Sequence, residues 1–301
     1  MVASGTGTSS SAEEGSPAVP WIPGEVVVVG LGLMGGSLAR ALARLEPRPR
    51  IVGVSHTPSH RDGAVAEGVV DCAFSTTEEA LEQFPTPHLV VFATPLGITL
   101  QLLRRLPEAM AGVGAITDLA SLNRPVLEVV TGTDLAPRLV TSHPMVGGEA
   151  SGFEASRDGL YVDGPVHLST SPTAAPAVRQ QVEGFWRALG ARPHWMVARE
   201  HDQVMVMVSH LPQLVSNALA GALDSAGVAP SALGPGGQDM VRLAGSSPEM
   251  WVDLLAHSGP EAAPALRGFA RAVDALADLL VQGDLDAVAR FMERTRKWRG
   301  K

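Results

Sequence analysis

Short apolar runs rich in β-branched residues alternate with helix-length segments over the first two thirds of the chain. Strands are predicted at 25–30, 51–55, 88–93, 114–118 and 138–142. Helices are predicted between them, near 34–45, 97–106 and 123–130. Runs that are apolar on both faces are typical of a parallel sheet covered by helices. Two further strand candidates, PVHLST and RPHWMV, flank a helical segment and are expected to extend this sheet.

After about residue 197 the pattern changes to long helical periods. Helices are predicted at 200–226, 248–257, 261–281 and 284–298. The first 23 residues are rich in Ser, Gly, Ala and Pro and have no hydrophobic period, which is typical of disorder. The sequence therefore predicts a disordered leader (1–23), an α/β domain (24–197) and an all-helical domain (198–301).

Charge and hydropathy exclude several kinds of partner. The 301-residue chain has a net charge of −8, and no basic stripe precedes its RTRKWRGK tail. The chain therefore lacks the basic surface that binds nucleic acid. The longest apolar runs are much shorter than the ~20 residues of a membrane span, and no basic residue in the first 24 positions opens a signal peptide. We expect a cytoplasmic protein without a nucleic-acid or membrane partner.

A glycine-rich corner lies where the first strand gives way to the first helix. Its motif is Gly30-Leu31-Gly32-Leu33-Met34-Gly35. In G-x-G-x-x-G the first glycine makes a tight turn, the second lets the backbone approach a pyrophosphate, and the third lets helix and strand pack closely. The free N–H groups at the helix start favour phosphate. These six residues are predicted to bind a nicotinamide-type dinucleotide, which makes 24–197 a Rossmann-type domain; glycines that serve only a tight turn are the alternative.

The adenosine end of this site is open to two interpretations. A carboxylate normally follows the second strand and holds the ribose 2′-hydroxyl, but this chain has Ser55 there. His56, His60 and Arg61 come next, and they either meet a 2′-phosphate or form a solvated loop. The residues alone do not separate NAD from NADP. The further positions assigned to the cofactor are Ser55, Arg61, Thr94 and Asp118.

Three more stretches place polar groups where a Rossmann active site forms. They are AITDLASLNRP, LVTSHPMVGGEASGFEAS, and REHDQVMVMVSHLPQLVSNAL followed by GGQDMVRLAGSSPEMW. In this order, with the glycine corner, they resemble the prephenate dehydrogenase (TyrA) family from about residue 25 to 258. The shared pattern includes a Thr-Asp-x-x-Ser turn, a His-Pro-Met segment with Glu six residues after His, a Ser-His-x-Pro helix and an Arg-Leu-Ala segment ending at Trp.

The resemblance implies oxidative decarboxylation of a cyclohexadiene such as prephenate, with hydride transfer from ring C4 to the nicotinamide, in tyrosine biosynthesis. It implies that His143 is the base for the C4 hydroxyl proton, which suits an imidazole because its pKa lies near working pH. It further implies that Ser121 orients His143 or binds the same hydroxyl, and that Glu149 acts behind the substrate contacts or as a gate. The family also favours NAD over NADP. We assign no metal ligand.

Substrate recognition is expected to come from the helical domain. By the resemblance, Arg242 binds the ring carboxylate, for which the guanidinium fork is well matched, and Ser209 and His210 line the pocket. Gln213 stands where many family members have a second histidine. Prephenate ranks first among the substrates, and arogenate and 4-amino-4-deoxyprephenate, the latter typical of secondary metabolism, remain alternatives.

Two other classes compete with this interpretation. The β-hydroxyacid dehydrogenases resemble the chain in pairing a glycine corner with a helical domain, but they use a lysine there, and the first lysine of this chain is Lys297. A non-catalytic dinucleotide-binding protein would not need His143, Ser121 and Arg242 at matching positions.

The helices after residue 200 carry more apolar surface than a small helical domain hides, so a homodimer through these helices is predicted.

Overall fold

The computed structural model describes residues 18–148 and 150–300. Residues 1–17 of the expected leader and Glu149 lie outside the described residues. Within the described part, the chain divides into two compact units. The first unit consists of 18–94, 98–120 and 126–196, and the second consists of 95–97, 121–125 and 197–300.

The last six residues of the expected leader are ordered rather than disordered. The Trp21 N–H donates to the Gly184 carbonyl at 3.0 Å, and the Ala18 N–H donates to the Glu183 carboxylate at 3.3 Å. A Cβ at Gly184 would lie 3.0 Å from the Trp21 Cβ, so the missing side chain makes room for this packing. Backbone hydrogen bonds and an apolar contact therefore fix residues 18–23 to the first unit.

A five-stranded parallel sheet forms the centre of the first unit, and it confirms the predicted fold class. Its strands are β1 (Glu25–Val29), β2 (Arg50–Val54), β3 (Cys72–Phe74), β4 (Leu89–Phe92) and β5 (Ala115–Asp118). Its helices are α1 (Leu33–Ala43), α2 (Pro58–Ala66), α3 (Thr77–Gln83), α4 (Leu96–Arg105) and α5 (Arg124–Val130). The strand order β3-β2-β1-β4-β5 places β1 in the middle. The sequence pattern missed β3, which has only three half-buried residues.

Three strands form a second sheet. The expectation that 138–142 belongs to the parallel sheet, and that PVHLST and RPHWMV extend it, is therefore wrong. They are β6 (Val140–Pro144), β7 (Pro165–Thr170) and β8 (Arg192–Trp195), and α6 (Pro176–Ala188) connects the last two. β6 pairs antiparallel with β7, and a single parallel bridge, Ile116 to Leu139, joins the two sheets. A parallel partner needs a crossover, usually a helix, and the described residues between β6 and β7 form no helix.

The second unit is helical. Its elements are α7 (Ala198–Met205), a π-helical turn (Val206–His210), α8 (Leu211–Ser225), α9 (Pro235–Val241), a 3₁₀ turn (Arg242–Gly245), α10 (Pro248–Gln282) and α11 (Leu285–Arg299). The two helices predicted at 248–257 and 261–281 are one helix, because α10 continues through Pro260 and Pro264. Each proline removes one backbone hydrogen bond, but Leu254, Ser258 and Ala262 stay buried along α10.

One helical stretch of the described chain has the length and hydropathy of a membrane span. It is Ala198–Ser225, where α7, the π turn and α8 run on without a break. Its unbroken apolar runs are much shorter than a membrane span. Length and composition are the only grounds for this match, and 28% of the 18-residue window that meets the hydropathy criterion is buried within the structure.

Candidate active site

The glycine corner combines two packed positions with one open position. Gly30 has a φ of +101°, and a Cβ there would lie 2.5 Å from the Ala93 carbonyl oxygen. A Cβ at Gly35 would overlap the Gly30 carbonyl oxygen. A Cβ at Gly32 would meet no atom of the described residues within 4 Å. The first and third glycines therefore allow the turn, and the second leaves the backbone open to a large group.

The start of α1 is suited to an anion. Its first turn contains no acidic residue, and the first helical hydrogen bond runs from the Gly36 N–H to the Gly32 carbonyl at 2.8 Å. The N–H groups of Leu33, Met34 and Gly35 therefore have no acceptor within the helix. Together with the open space at Gly32, these donors fit the diphosphate of a dinucleotide.

A fourth glycine lets the loop after β6 pack on α1. A Cβ at Gly36 would lie 2.8 Å from the Ser156 Cβ. In the same loop, the Tyr161 hydroxyl donates to the Met34 carbonyl at 2.7 Å. The chain segment that follows His143 is thus fixed to the helix that begins at the glycine corner.

Two assigned cofactor residues meet at the end of β2. Ser55 is buried, and its hydroxyl accepts a hydrogen bond from the Thr57 N–H at 3.3 Å. Arg61 donates from Nη1 to the Ser55 carbonyl at 2.5 Å. The guanidinium of α2 is therefore held at the position where the strand ends.

Thr94 lies against the glycine corner at the end of β4. A Cβ at Gly30 would be 3.0 Å from the Thr94 Cγ2. The Thr94 hydroxyl shares a 2.8 Å hydrogen bond with the hydroxyl of Thr99. The structure thus brings Thr94 next to the turn where the diphosphate would bind.

Asp118 joins the ends of β5 and β6. Its Oδ1 accepts from the Ala120 N–H at 2.9 Å and from the Thr141 hydroxyl at 3.2 Å. Its side chain is fully buried, and Oδ2 has no hydrogen-bond partner in the described part of the chain. Burial raises the pKa of Asp118 to about 7, against the opposing effect of the hydrogen bonds. Asp118 is therefore bonded to Thr141 of β6, the strand that also carries His143.

His143 is half-buried on β6 and is the first of three paired histidines. Cross-strand pairing places it opposite His167 of β7, which is paired in turn with His194 of β8. Directly paired residues share one face of a sheet, and the rings of His167 and His194 are 6.4 Å apart. Sequence reasoning missed His167 and His194, because only the antiparallel pairing of β6 with β7 brings them into line with His143.

Within the second unit, Asp202 fixes the turn that follows Ser121. Its two carboxylate oxygens accept from the Asn123 N–H at 2.9 Å and from the Arg124 N–H at 3.0 Å. The buried His201 places Nδ1 2.8 Å from Asp202 Oδ1. Ser121 itself is exposed. Sequence reasoning missed Asp202, because the residues that it bonds lie 78 and 79 positions earlier in the chain.

Ser209 and His210 lie in the π turn before Pro212. A proline has no backbone N–H to donate to the preceding helical turn, and its ring crowds a carbonyl of that turn. A π turn is one way for a helix to accommodate such a proline. His210 is buried, and its ring meets the Trp251 ring edge to face at 5.8 Å. His210 Nδ1 and Trp251 Nε1 are buried without a hydrogen-bond partner among the described residues. Burial lowers the pKa of His210, which favours the neutral imidazole.

Gln213 is bonded to the segment that carries Arg242. Its Nε2 donates to the Leu243 carbonyl at 2.7 Å and to the Asn217 Oδ1 at 2.7 Å. Its Oε1 accepts from the Ser246 hydroxyl at 3.3 Å. Gln213 is only 4% exposed, whereas Arg242 is exposed. In this structure the Gln213 amide is used within the unit and fixes the backbone beside Arg242.

The assigned residues therefore fall into two sets, one in each unit. The first unit holds the six residues of the glycine corner together with Ser55, Arg61, Thr94, Asp118 and His143. The second unit holds Ser121, Ser209, His210, Gln213 and Arg242. Glu149 lies outside the described residues. The first set can bind a dinucleotide and accept a proton, and the second offers a cation and hydroxyls for an anionic substrate.

Comparison with known proteins gives matches over both units. The family model described as prephenate dehydrogenase, nucleotide-binding domain, matches residues 38–194. The model described as prephenate dehydrogenase, dimerization domain, matches residues 197–294. The prephenate dehydrogenase of Bacillus subtilis is 27% identical over 284 residues, which cover 91% of this chain and 75% of that protein. The cyclohexadienyl dehydrogenase of Zymomonas mobilis is 25% identical over 279 residues, 91% of this chain and 94% of that protein.

Solved structures resemble the chain to a similar extent. The prephenate dehydrogenase of Aquifex aeolicus, in complex with hydroxyphenyl propionate and NAD⁺, is 27% identical with a TM-score of 0.82. The match covers 91% of this chain and 96% of that chain. The arogenate dehydrogenase of Synechocystis is 26% identical with a TM-score of 0.75, over 92% of this chain and 99% of that chain. These relatives share one fold and differ in the substrate that their names give.

Proposed function

Because this chain belongs to the prephenate dehydrogenase family and is an NAD(P)-dependent oxidoreductase, we propose that its own substrate is prephenate. The product would be 4-hydroxyphenylpyruvate, formed with loss of CO₂ in tyrosine biosynthesis. One observation carries the proposal: His143 and an anion-binding glycine corner lie in the same unit, where the loop after β6 packs on α1. A base for a hydroxyl proton and a dinucleotide site are the two parts that this reaction requires.

The proposed mechanism assigns each step to a residue of the chain. The bound nicotinamide supplies a hydride acceptor. His143 takes the proton of the C4 hydroxyl as the C4 hydrogen leaves with its electron pair. Arg242 holds the C1 carboxylate until the C1–carboxylate bond breaks, and its electrons then make the ring aromatic. His143 returns the proton to the C4 oxygen, so the overall reaction neither consumes nor releases a proton.

Ser121 completes the assignment. A hydroxyl can donate to one group and accept from another, so Ser121 would hold the C4 oxygen or the imidazole in the orientation that proton transfer needs. Asp202 would keep Ser121 in place by bonding the backbone N–H groups of the same turn. Gln213 would act similarly on the backbone next to Arg242.

Arogenate and 4-amino-4-deoxyprephenate are the alternative substrates, because Gln213 replaces a histidine that many family members have. Steady-state rates with all three substrates, each with NAD⁺ and NADP⁺, test the proposal. We expect prephenate to lead by at least about tenfold in kcat/KM, which is about 1.4 kcal/mol of discrimination. A lead for either of the other substrates would contradict the proposal, and no turnover with any of them would favour the non-catalytic alternative.

We also propose a cytoplasmic homodimer built through the helical unit. None of the described residues of α11 is buried in the single chain. Apolar side chains of α10 and α11 stay exposed, such as Val281 of α10 at 87%, Trp298 of α11 at 74% and Leu285 of α11 at 67%. Large exposed apolar surface usually marks an interface, and the matched family model describes a dimerization domain. Sedimentation at micromolar concentration should give twice the mass of the chain. A monomer would contradict the proposal.

A further inference from the structure

The end of β2 carries an arginine and lacks a carboxylate. In dinucleotide-binding folds an acidic residue here binds the ribose 2′-hydroxyl of NAD, whereas a nearby arginine accommodates the 2′-phosphate of NADP. β2 ends at Val54 and the next residue is Ser55. The group that usually favours NAD is therefore missing from its usual place.

Arg61 is held at this strand end by the backbone. Its Nη1 donates to the Ser55 carbonyl, and the side chain is half-buried. The described residues provide no carboxylate that pairs with it. A guanidinium has five N–H donors, so most of them remain for an anion after this one hydrogen bond.

Hydroxyl residues belong to the same short segment as this guanidinium. Thr57 precedes α2, and its hydroxyl does not cap that helix. The Ser55 hydroxyl accepts from the Thr57 N–H and still has its own hydrogen to donate. The chain from Ser55 to Arg61 therefore combines one fixed cation with three hydroxyl residues, of which Ser55 and Thr57 come first after the strand.

The other charged groups of this region are engaged elsewhere or exposed. Glu79 accepts hydrogen bonds from the Ser75 hydroxyl at 2.7 Å and from the Thr76 N–H at 3.2 Å, as the cap of α3. Asp62 is exposed on α2. His60 and Glu154 both lie beside Gly152, where a Cβ would be 3.5 Å from His60 Nε2 and 2.9 Å from Glu154 Oε2. His56 is exposed, and Arg61 is the arginine that this strand end offers.

We propose that the chain selects NADP over NAD and that Arg61, Ser55 and Thr57 form the subsite for the 2′-phosphate. A phosphate monoester carries about −1.5 to −2 charge at pH 7, and the chain has a net charge of −8, so binding needs a local cation. The family resemblance favours NAD, and the strand end argues for the opposite choice. The inference shares the dinucleotide site with the proposed function but requires no substrate.

Calorimetric titration of the full chain with two adenosine nucleotides tests the subsite directly. Adenosine 2′,5′-bisphosphate carries the 2′-phosphate, and 5′-AMP is the matched ligand without it. We expect the bisphosphate to bind at least about tenfold more tightly, as a charge-assisted contact to phosphate requires. Equal affinities, tighter binding of 5′-AMP, or no binding of either ligand would overturn the proposal.

Variants then test the residues. Arg61→Ala should reduce the preference for the bisphosphate to about threefold or less and leave 5′-AMP affinity unchanged, because only the 2′-phosphate contact is lost. Arg104→Ala, which removes an exposed arginine of the same unit, should keep the full preference. Ser55→Asp should reverse the preference, and it decides the matter if Arg61→Ala does not fold. An unchanged preference in Arg61→Ala or Ser55→Asp would overturn the assignment. Absence of prephenate turnover would not alter these results, so the two proposals fail separately.

Discussion

The glycine corner of the first unit and the Arg242 segment of the second unit are organised in different ways. At the corner, local backbone geometry decides what each residue does: Gly30 takes a φ of +101°, and Gly32 leaves open space beside the start of a helix. The Arg242 segment depends on a distant side chain, because Gln213 bonds the Leu243 carbonyl from 30 positions away. A motif is readable from sequence when its chemistry lies in its own backbone. It becomes ambiguous when another element supplies the support.

The largest expected effect concerns His143, in the same unit as the glycine corner. His143→Asn should lower kcat by about 100- to 10,000-fold, the range for loss of a general base, because an amide cannot take the proton of the C4 hydroxyl. Dinucleotide affinity should be unchanged, since the glycine corner is intact. Stopped-flow turnover and nucleotide titration measure the two properties separately. His88→Asn, an exposed histidine of the same unit, is the control; full activity of His143→Asn would refute the assignment.

The second prediction concerns the support of Ser121. Asp202→Asn loses the charge and one of the two backbone hydrogen bonds, so kcat should fall by about 10- to 100-fold, within the range of misplaced catalytic groups. Loss of a helix cap should also cost about 1 kcal/mol of stability. If Asp202 acts through Ser121, the double variant with Ser121→Ala should be no slower than Ser121→Ala alone. Additive losses would show that Asp202 has a separate role.

The third prediction concerns Gln213 and Arg242. Gln213→Ala leaves the Leu243 carbonyl without its side-chain donor and should raise the KM for prephenate by about tenfold, with a stability loss of about 1–3 kcal/mol. Asn217→Ala removes a partner of Gln213 but keeps the bond to Leu243, so its KM should change less. In an Arg242→Ala background, the effect of Gln213→Ala on KM should disappear. A tenfold effect that persists there would indicate direct substrate contact by Gln213.

The last prediction concerns stability rather than rate. Because the pKa of Asp118 is about 7 when folded and 3.8 as a free group, the folded chain holds a proton that the unfolded chain releases between about pH 4 and 7. Stability should therefore fall as pH rises through this window, by at most about 4 kcal/mol at 1.36 kcal/mol per pKa unit. In Asp118→Asn this slope should vanish in urea unfolding at pH 5 and pH 8. An unchanged slope would mean that another group causes it.

The sequence alone predicted much of the first unit. The glycine corner and four of the five parallel strands follow from local patterns and were predicted, whereas β3, with three half-buried residues, was not. The pairing of β6 with β7 could not be predicted, because it depends on a loop that packs on α1 instead of forming a crossover helix. The row of His143, His167 and His194 was missed for the same reason.

In the helical unit the limits were of another kind. The sequence indicated a break near Pro260. In the structure α10 continues through Pro260, and Leu254 and Ala262 are buried on either side of this proline. Asp202 was missed because its partners lie 78 and 79 positions earlier in the chain. The sequence shows Gln213 as a departure from the family, but only the structure connects its amide to the Leu243 carbonyl.

The second unit is built from three separate segments of the chain, which limits how the gene can be divided. Residues 95–97 and 121–125 belong to this unit although they are encoded within the nucleotide-binding half. Asp253 accepts from the Gly97 N–H at 3.0 Å, and Asp202 accepts from Asn123 and Arg124. A fragment that starts at residue 197 would lose the donors of both carboxylates. Chimeras that exchange the helical half between relatives must therefore transfer three segments, not one.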